Sequence, residues 1–473
     1  MTLAASADTD SDLTAILARQ RAAFLRDGPP SPADRRRDLM KLKHALLAHR
    51  NDLVAAVNAD YGHRAEQETL LLDLGSSIGA IKYLHDNLAR WMRPERRSVA
   101  MVFFPGSNRV LYQPLGVVGV VAPWNYPLNL ALVPLATALA AGNRVMLKPS
   151  EFVPATTELL ESLLAAIFDE EQVAVVTGGE KIGRAFSALP FDHLLFTGSI
   201  PVGRAIMRAA SDNLVPVTLE LGGKSPVIVE RGASSPTAVR RIAYGKLANG
   251  GQTCVAPDYA LLPDDEIEDF VATYKQEVEK LYPDIASNPD YTWIVNDQHF
   301  ARLSSLVENA RAKGARVIEL GTRPAASQSR LFPPVLLLDV TDEMDAMKEE
   351  IFGPILPIVP YRALEDAVAY VNTRPRPLAL YYFGPDGPGR RLVLERTTSG
   401  GVTINDTLLH GAQEDLPFGG VGHSGMGAYH GPEGFKTMSH AKGVYEQPRW
   451  NLADGVRPTF GKLFDLLAFF MLR

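Results

Sequence analysis

The chain has 473 residues, a length that suggests two or three domains with ample core for each. Hydrophobic residues make up 46% of it and charged residues 22%, as in an ordinary soluble globular protein. The formal net charge of −6 argues against a general nucleic-acid binder. One cysteine leaves no intramolecular disulfide, and the N-terminal residues lack the apolar core of a signal peptide, so a cytoplasmic location is expected.

The N-terminal part of the chain is predicted to be helical, because leucines recur there at helical spacing between polar residues. These leucines are Leu39, Leu42, Leu46 and Leu53. A β-hairpin is predicted at 99–113, where Val, Phe and Tyr lie around a Pro-Gly-Ser-Asn turn at 105–108.

Strands and helices are predicted to alternate from residue 116 onward. The predicted strands are 117–122, 144–148, 173–176 and 193–196. The predicted helices are 128–141, 154–167, 181–189 and 201–210. Buried strands that alternate with helices predict a doubly wound parallel sheet with both faces covered.

A second alternating region is predicted after the break at Gly222-Gly223. Its predicted strands are 226–229, 259–262, 316–319, 335–338 and 355–361. The segment 400–445 then returns to strand and glycine-rich loop. The predicted fold class is therefore α/β, with two doubly wound parallel-sheet domains.

The single cysteine, Cys254, follows a Gly-Gly-Gln-Thr run. A lone free cysteine often serves as a small buried hydrophobic residue, so packing in the core is one interpretation. The neighbours favour chemistry instead, because glycines allow close approach of a ligand to the backbone and a core segment has little use for Gln252 and Thr253. With one sulfur, nucleophilic attack is the leading possibility.

Six short motifs occur in an order that resembles the aldehyde dehydrogenase superfamily over residues 115–440. They are PWNYP (123–127), KPSE (148–151), FTGS (196–199), ELGGK (220–224), GQTC (251–254) and EEIFGP (349–354). Two later motifs, NDTLLH (405–410) and GMGAYHG (425–431), resemble the class 3 branch and particularly the coniferyl aldehyde dehydrogenases. The resemblance implies the fold of this family, with a β arm for oligomerisation.

The resemblance also implies three catalytic residues. Cys254 matches the nucleophile, whose thiolate adds to an aldehyde and later holds a thioester. Glu220 matches the general base that activates water, a role that burial of its carboxyl would favour by raising the pKa. Asn125 matches the amide that joins the backbone N–H of the cysteine in stabilising the oxyanion.

The cofactor implied is NAD, with NADP possible, although no G-x-G-x-x-G fingerprint follows a predicted strand. The residues that the resemblance assigns to cofactor binding are Trp124, Lys148, Glu151, Gly198, Ser199, Gly203, Leu221, Glu350 and Phe352. Ser199 and Pro201 form a helix start whose N–H groups can meet a pyrophosphate. Glu151 would repel the 2′-phosphate of NADP, so a modest preference for NAD is expected.

The resemblance divides the chain into four parts. They are a cofactor domain (1–97 and 116–220), a catalytic domain (221–399), an oligomerisation arm (98–115 and 400–445) and a tail (446–473). Strands of the hairpin and at 401–405 would leave unpaired edges in a monomer, so a homodimer is expected. The apolar run 466–472 is too short to span a bilayer and is expected to pack on the protein surface.

Metal chemistry is not expected, because the histidines form no ligand spacing. Four of them fall late in the chain, at His410, His423, His430 and His440. They are interpreted either as scattered surface residues or as residues that line the mouth of the substrate site. Here His423 also departs from the family, which commonly has a smaller residue or an amide at that position.

The predicted reaction is NAD(P)-dependent oxidation of an aldehyde to the carboxylic acid. Aromatic or medium-chain aldehydes are expected, since Trp124, Tyr126 and Phe352 can line an apolar tunnel. Two other functions remain open from the sequence. One is a thiol esterase or a coenzyme A-acylating enzyme that uses the same cysteine, although Glu220 favours hydrolysis; the other is a non-enzymatic binding protein on the same fold.

Overall fold

The structure is a computed structural model that describes residues 4–322, 329–450 and 457–472. Its α-helices are α1 Ala4–Asp27, α2 Pro32–Ala48, α3 Arg50–Tyr61, α4 Glu66–Glu68, α5 Ser76–Trp91, α6 Asn129–Ala141, α7 Pro154–Ile167, α8 Glu180–Ser187, α9 Ile200–Ser211, α10 Pro236–Leu247, α11 Ile267–Leu281, α12 Asp297–Ala312, α13 Asp345–Lys348, α14 Leu364–Asn372, α15 Pro388–Arg396, α16 Gly431–Thr437 and α17 Lys462–Met471.

The strands are β1 Glu95–Arg97, β2 Ser107–Pro114, β3 Val117–Val121, β4 Arg144–Lys148, β5 Val173–Val175, β6 His193–Gly198, β7 Val217–Leu221, β8 Pro226–Val229, β9 Tyr259–Pro263, β10 Arg316–Glu319, β11 Val335–Leu338, β12 Ile355–Tyr361, β13 Ala379–Phe383, β14 Gly401–Ile404, β15 Gly425–Met426 and β16 Ser439–Glu446. Short 3₁₀ segments occur at Met101–Phe103, Ala248–Gly251 and Leu409–Ala412, and a π-helical segment at Thr69–Gly75.

The first sheet has six strands in the order β15-β7-β6-β3-β4-β5. All of its neighbouring pairs are parallel except β15 with β7. The strand β3 lies between β4 and β6, so the strand order reverses beside it. In open α/β sheets such a reversal marks the crevice where ligands bind, at the carboxyl ends of the strands.

The second sheet has seven strands in the order β10-β11-β12-β9-β8-β13-β14, parallel apart from β10. The predicted α/β fold with two doubly wound sheets and a β arm is therefore confirmed. One central strand, β13, was not predicted from the sequence. Its run of five buried residues has no alternation that separates a strand from a buried helix.

The third sheet is antiparallel, with the order β1-β2-β16, and forms the arm. The expectation that a strand at 401–405 belongs to it is wrong. Gly401–Ile404 pairs in parallel with β13 instead, and hydrogen bonds from the N–H groups of Gly400 and Gly401 to the carbonyls of Pro377 and Leu378 seat it there. The last strand of the arm is β16, which pairs with β2 over its whole length.

The predicted hairpin at 99–113 is correct in its second strand and wrong in its first. The strand that pairs with β2 is Glu95–Arg97, and the residues between form a loop with the 3₁₀ segment. Pro105 has no N–H to continue a ladder, and the Gly106 N–H bonds back to the Phe103 carbonyl at 2.9 Å. The local turn therefore replaces strand pairing between 99 and 106.

Helices of the N-terminal region cover the first sheet, as the leucine pattern predicted. Ser31 caps α2, where its side chain accepts a bond from the Asp34 N–H, and Pro32 occupies the first turn. The predicted leucines Leu39, Leu42, Leu46 and Leu53 are fully buried. They pack in one core with α5 and α6, so the loop before α6 rests on a rigid base.

The C-terminal helix α17 keeps much of its apolar surface exposed. Phe470 is 67% exposed and Leu466 is 53% exposed, whereas Leu467 is half-buried. The expected packing on the protein surface therefore involves only part of the run. Among the described residues, no helix is long and apolar enough to cross a membrane. Part of the predicted tail, 451–456 and 473, lies outside the described residues.

Candidate active site

A cavity of about 680 Å³ lies between the two parallel sheets, at the strand-order reversal. The loop after β3 brings Trp124 and Asn125 to it, and the end of β6 brings Gly198. Cys254 reaches it from the segment before β9, and Glu220 from the end of β7. The three predicted catalytic residues thus line one cavity.

The backbone before Cys254 is held in an unusual conformation. Asn249, Gly250 and Gly251 have positive φ angles of 55°, 61° and 76°, in the region that glycine adopts at least cost. The side chain of Gln252 is fully buried and fixes this bend, with Nε2 2.8 Å from the Asn249 carbonyl and Oε1 accepting from the Val295 N–H at 2.9 Å. The thiol therefore sits on a backbone that cannot easily shift.

The Cys254 thiol experiences opposing electrostatic effects. Burial, and after it the nearby charges of Glu350 and Glu220, raise its pKa to about 12. Hydrogen bonds from the N–H groups of Cys254 and Val255 act in the opposite direction, since they favour the thiolate. The same N–H of Cys254 is the donor that an oxyanion formed at this sulfur would meet.

Glu220 is a buried carboxyl without a partner. Its residue is 3% exposed, and neither carboxyl oxygen has a hydrogen bond among the described residues. Burial raises its pKa well above the ordinary value. A carboxyl with a raised pKa, aimed at a cavity, is the state that a general base at neutral pH requires.

Asn125 points its amide toward the same space. Its Nδ2 donates one hydrogen bond to the Gln252 carbonyl at 3.1 Å, and an amide has a second N–H to offer. The residue is 3% exposed and lines the cavity. Since Asn125 and Cys254 line the same cavity, this second N–H and the backbone N–H of Cys254 are the two donors that an oxyanion there would use.

The far end of the cavity fits a nicotinamide and its ribose. The Glu350 carboxylate lies against Gly222, where an added Cβ would overlap it, and the Gly223 backbone donates to it. Burial raises the pKa of Glu350 to about 8, with a further contribution from the charge of Asp258. Phe352 contacts Trp124 edge-on, with ring centroids 5.3 Å apart. A carboxylate for ribose hydroxyls thus stands next to an aromatic wall.

The first turn of α9 fits a pyrophosphate. Ser199 precedes the helix as its N-cap without a side-chain bond, and Gly198, Ser199, Ile200 and Pro201 all line the cavity. The N–H groups at a helix N-terminus bind anions. Gly203 does not line the cavity; a Cβ there would lie 2.6 Å from Leu221, so this glycine allows α9 to pack on the end of β7.

Two predicted cofactor residues, Lys148 and Glu151, lie outside this cavity. Lys148 is the last residue of β4, the neighbour of β3, and Glu151 follows this strand; the Lys148 ammonium is 3.3 Å from the Glu151 carboxylate. Lys148 is buried and Glu151 exposed. The pair offers donors and acceptors to the adenosine ribose from the next strand end, and its role stays a prediction.

Several cavity residues were not assigned a role from the sequence. Among them are the basic side chains of Lys224, His299, Arg302 and Arg374. His299 packs on Trp124 at 4.8 Å, and burial lowers its pKa to about 4, so it is neutral. His299 and Arg302 belong to α12, a helix of the other domain in which no motif was recognised. Lys224 ends the ELGGK motif, so the motif could have identified it as a site residue.

The late histidines divide into two groups. His423 lines the cavity and His440 lies exposed on β16, whereas His410 and His430 are buried among aromatic rings. Burial lowers the pKa of both buried histidines to about 4. The described residues contain no group of His, Cys, Asp and Glu side chains that could hold a metal ion.

Comparisons with known proteins agree with this geometry. The profile of the aldehyde dehydrogenase family matches residues 2–444. This chain belongs to the aldehyde dehydrogenase family. It is 53% identical to a probable coniferyl aldehyde dehydrogenase of Pseudomonas aeruginosa over 459 residues, which cover 97% of this chain and 96% of that protein.

Two further relatives are similar over almost the whole length. The coniferyl aldehyde dehydrogenase of a Pseudomonas species is 49% identical over 441 residues, covering 92% of this chain and 91% of that protein. The substrate-bound structure of Staphylococcus aureus AldH has a TM-score of 0.91 at 37% identity and covers 96% of this chain and 98% of that one. The predicted resemblance to class 3 and to coniferyl aldehyde dehydrogenases is confirmed.

The predicted enzyme class and reaction are confirmed with the family. The chain is an NAD(P)-dependent aldehyde dehydrogenase that oxidises an aldehyde to the acid.

Proposed function

We propose that Cys254 is the nucleophile of this oxidation. Its thiolate attacks the aldehyde carbon and forms a carbon–sulfur bond, and the carbonyl π electrons move to oxygen. The Nδ2 group of Asn125 and the N–H of Cys254 donate to that oxygen. A preorganised donor of this kind contributes about 3 kcal/mol to a transition state. NAD(P) bound in this cavity would supply the acceptor for the hydride that leaves the same carbon.

Glu220 is proposed to act in the second half of the reaction. Its unpartnered carboxylate takes a proton from water, the resulting hydroxide attacks the thioester carbon, and the Cys254 thiolate leaves with the carboxylic acid released. The observation that carries this assignment is that the buried Glu220 carboxyl has no hydrogen bond to any described residue. It also supports hydrolysis over transfer of the acyl group to another thiol.

Glu350, Phe352 and Trp124 are proposed to hold the nicotinamide end, and Gly198 and Ser199 the pyrophosphate. Lys148 and Glu151 are proposed to bind the adenosine ribose. Glu151 places a negative charge where NADP carries its 2′-phosphate, so NAD is preferred. Gly203 and Leu221 act through the packing of α9 against β7.

The substrate is proposed to be an aromatic aldehyde of the coniferyl type. Two tyrosines adjoin the nucleophile: Tyr381 donates to the Val255 carbonyl, and the pKa of Tyr429 is raised by burial and then by the charges of Glu220 and Cys254. Beyond them, Phe418 stacks on His430 with centroids 4.9 Å apart. The cavity itself is lined by the rings of Trp124 and Phe352, and aromatic walls favour flat, apolar substrates. Two similar relatives are named for coniferyl aldehyde.

The protein is proposed to be a cytoplasmic homodimer in which the first sheet carries the cofactor, the second the nucleophile, and the arm of β1, β2 and β16 joins the subunits. The described sheets end in unpaired edges at β14 and β16. Paired edges in a two-fold dimer would remove this liability. Light scattering at micromolar concentration should give the dimer mass, and a monomer would contradict the assembly.

An aldehyde series tests the substrate proposal. The reduction of NAD is followed by absorbance with acetaldehyde, hexanal and coniferyl aldehyde. Each buried methylene contributes about 0.8 kcal/mol, so kcat/KM should rise steeply from acetaldehyde to the larger aldehydes, chiefly through KM. Equal kcat/KM values across the series would contradict an aromatic site while leaving the roles of Cys254 and Glu220 untouched.

A further inference from the structure

The backbone carbonyl of Asn125 accepts three buried hydrogen bonds. It accepts from the Tyr61 hydroxyl at 3.0 Å, from the Asn249 amide at 2.9 Å and from the Arg64 guanidinium at 3.2 Å. A carbonyl oxygen has two lone pairs, so three donors at one oxygen saturate it. This carbonyl belongs to Asn125, whose side-chain amide is assigned to the oxyanion.

Arg64 is the charged member of this group. Its side chain is fully buried and lies between two aromatic rings, with the guanidinium carbon 5.0 Å from the Tyr61 ring and 5.1 Å from the Tyr126 ring. The Asp73 carboxylate is 3.6 Å from Nη1, and the side chain of Asp73 is also fully buried. The Nε and Nη2 atoms of Arg64 have no hydrogen-bond partner among the described residues.

Local structure holds both charges in place. Gly62 ends α3 with a φ of 73°, which turns the chain so that the Arg64 N–H bonds the Asn58 side chain at 2.7 Å. Asp73 lies in the π-helical segment before α5 and accepts from the Asn129 N–H at 2.6 Å. Segments of π-helix are frequent at functional sites.

The same cation contacts one wall of the oxyanion pocket directly and is linked to the other wall through Tyr126. On one wall it bonds Asn125 and covers the ring of Tyr126. The hydroxyl of Tyr126 bonds the Thr253 hydroxyl at 2.7 Å, and Thr253 directly precedes Cys254 on the other wall. Asn249 completes the link, because its Nδ2 contacts the carbonyls of both Asn125 and Gln252.

Stability does not explain a charge at this position. A buried ion pair with incomplete hydrogen bonds is weak evidence for stability, because apolar residues of similar volume often replace such pairs without loss. Within the described part of the chain, two nitrogens of Arg64 and one oxygen of Asp73 have no hydrogen bond. What the arrangement supplies is a fixed positive charge next to the backbone of Asn125.

We propose that Arg64 is a positioning residue for the oxyanion pocket, which it serves by clamping the Asn125 carbonyl and by placing a buried positive charge behind the Asn125 amide. The proposal rests on the role assigned to Asn125 above. Arg64 touches no reacting atom and acts through Asn125 and Tyr126. Its effect belongs to the first half of the reaction, in which negative charge develops on the aldehyde oxygen.

The test measures the rate of the first-turnover burst of reduced NAD under excess aldehyde. Arg64→Met should lower this rate about 10-fold or more, as expected for a displaced oxyanion donor, while the dissociation constant of NAD stays within about twofold. Arg64→Lys keeps the charge without the planar fork and should recover part of the rate. Tyr61→Phe removes a neutral donor and should have a smaller effect.

Arg35 provides a matched control. It is another buried guanidinium, 3% exposed, that donates to backbone carbonyls, those of Ala140 and Ala141 at the opposite end of α6. Arg35→Met should lower the melting temperature and leave the burst rate unchanged. If both arginine variants lower the burst rate equally, a general loss of packing explains the result and the proposal is wrong.

The remaining outcomes separate this proposal from the one on which it rests. Asn125→Ala with an unchanged burst rate would overturn the role of Asn125 itself. A slow Asn125→Ala enzyme together with an Arg64→Met enzyme within twofold of the wild type would overturn the role of Arg64 alone. If Arg64→Met does not fold, Arg64→Lys decides: a burst rate equal to wild type contradicts the clamp, since lysine cannot reproduce its geometry.

Discussion

Two acidic side chains, Glu220 and Asp258, lie near the same cavity and have opposite surroundings. Both are 3% exposed. Asp258 is fully engaged: its Oδ1 accepts from the Ile351 N–H at 3.0 Å, and its Oδ2 pairs with the Lys224 ammonium. Neither oxygen of Glu220 has a partner in the described structure.

The difference separates a reactive carboxyl from a structural one. A hydrogen bond from the Ile351 N–H and the ion pair with Lys224 fix the Asp258 side chain and tie the start of β9 to the segment before Phe352. Glu220 lacks these partners among the described residues, so burial raises the pKa of its carboxyl. Its oxygen lone pairs also stay available to accept a proton. Burial alone therefore does not identify the base in this site; the absence of bonds to the buried carboxyl does.

The largest expected effect comes from the nucleophile that both carboxyls surround. Cys254→Ala should reduce turnover by about 10³-fold or more, because the covalent route is lost. The melting temperature should change by a few degrees at most, since the side chain is small and partly exposed. Steady-state reduction of NAD by a folded Cys254→Ala enzyme at wild-type rate would contradict the covalent mechanism.

The comparison between the two carboxyls is tested directly by matched amides. Glu220→Gln should lower steady-state turnover about 10²-fold, the size expected for a lost general base, without lowering stability at neutral pH. Asp258→Asn leaves Lys224 without its buried partner and should cost about 3 kcal/mol of stability. Its turnover per folded molecule should fall less than tenfold. If Glu220→Gln instead lost mainly stability and Asp258→Asn lost mainly turnover, Asp258 and not Glu220 would be the reactive carboxyl.

The difference in stability between the wild type and Glu220→Gln should also depend on pH. The folded-state pKa of Glu220 lies above its unfolded value near 4.5, so the folded protein holds a proton that the unfolded chain releases. The stability that this group contributes is fully present below that value and is lost as pH rises toward the folded-state pKa. Glu220→Gln should therefore melt about a degree or more above the wild type at pH 9 and equal it at pH 4. Equal melting temperatures at both pH values would contradict a buried, unpaired carboxyl.

The smallest expected effect concerns cofactor choice. Glu151→Ser removes the negative charge beside Lys148 and should raise kcat/KM for NADP relative to NAD about 3- to 10-fold. The effect is limited because Glu151 is exposed and can move away. A ratio of the two kcat/KM values equal to that of the wild type would show that the 2′-phosphate binds elsewhere.

The sequence predicted short strands between turn residues well, both buried ones and the more exposed edge strand Arg316–Glu319. Arg144–Lys148, Pro226–Val229, Val335–Leu338 and Ile355–Tyr361 have the predicted bounds. The strand β14 was assigned to the wrong sheet because its short sequence allows pairing with either edge. That choice depends on contacts distant in sequence, such as those of Gly400 with Pro377.

The site residues also divide into those that the sequence located and those that only the structure shows. Motifs beside strand ends located Cys254, Glu220 and Asn125, and the structure places these three in one cavity. The residues that support them carry no motif: Arg64 follows α3, and His299 lies on α12. Their contribution arises only when the chain folds, since a buried charge or a ring contact between distant elements has no local pattern.

The central claim is that Cys254 carries the acyl group and that the unpartnered Glu220 carboxyl releases it. The most direct test mixes Glu220→Gln enzyme with NAD and a coniferyl-type aldehyde, stops the reaction within the first turnovers, and determines the mass of the intact protein and its peptides. The account predicts one acyl group, on the peptide with Cys254, in an amount equal to the burst of reduced cofactor. Reduced cofactor at the same level without any covalent adduct would contradict it.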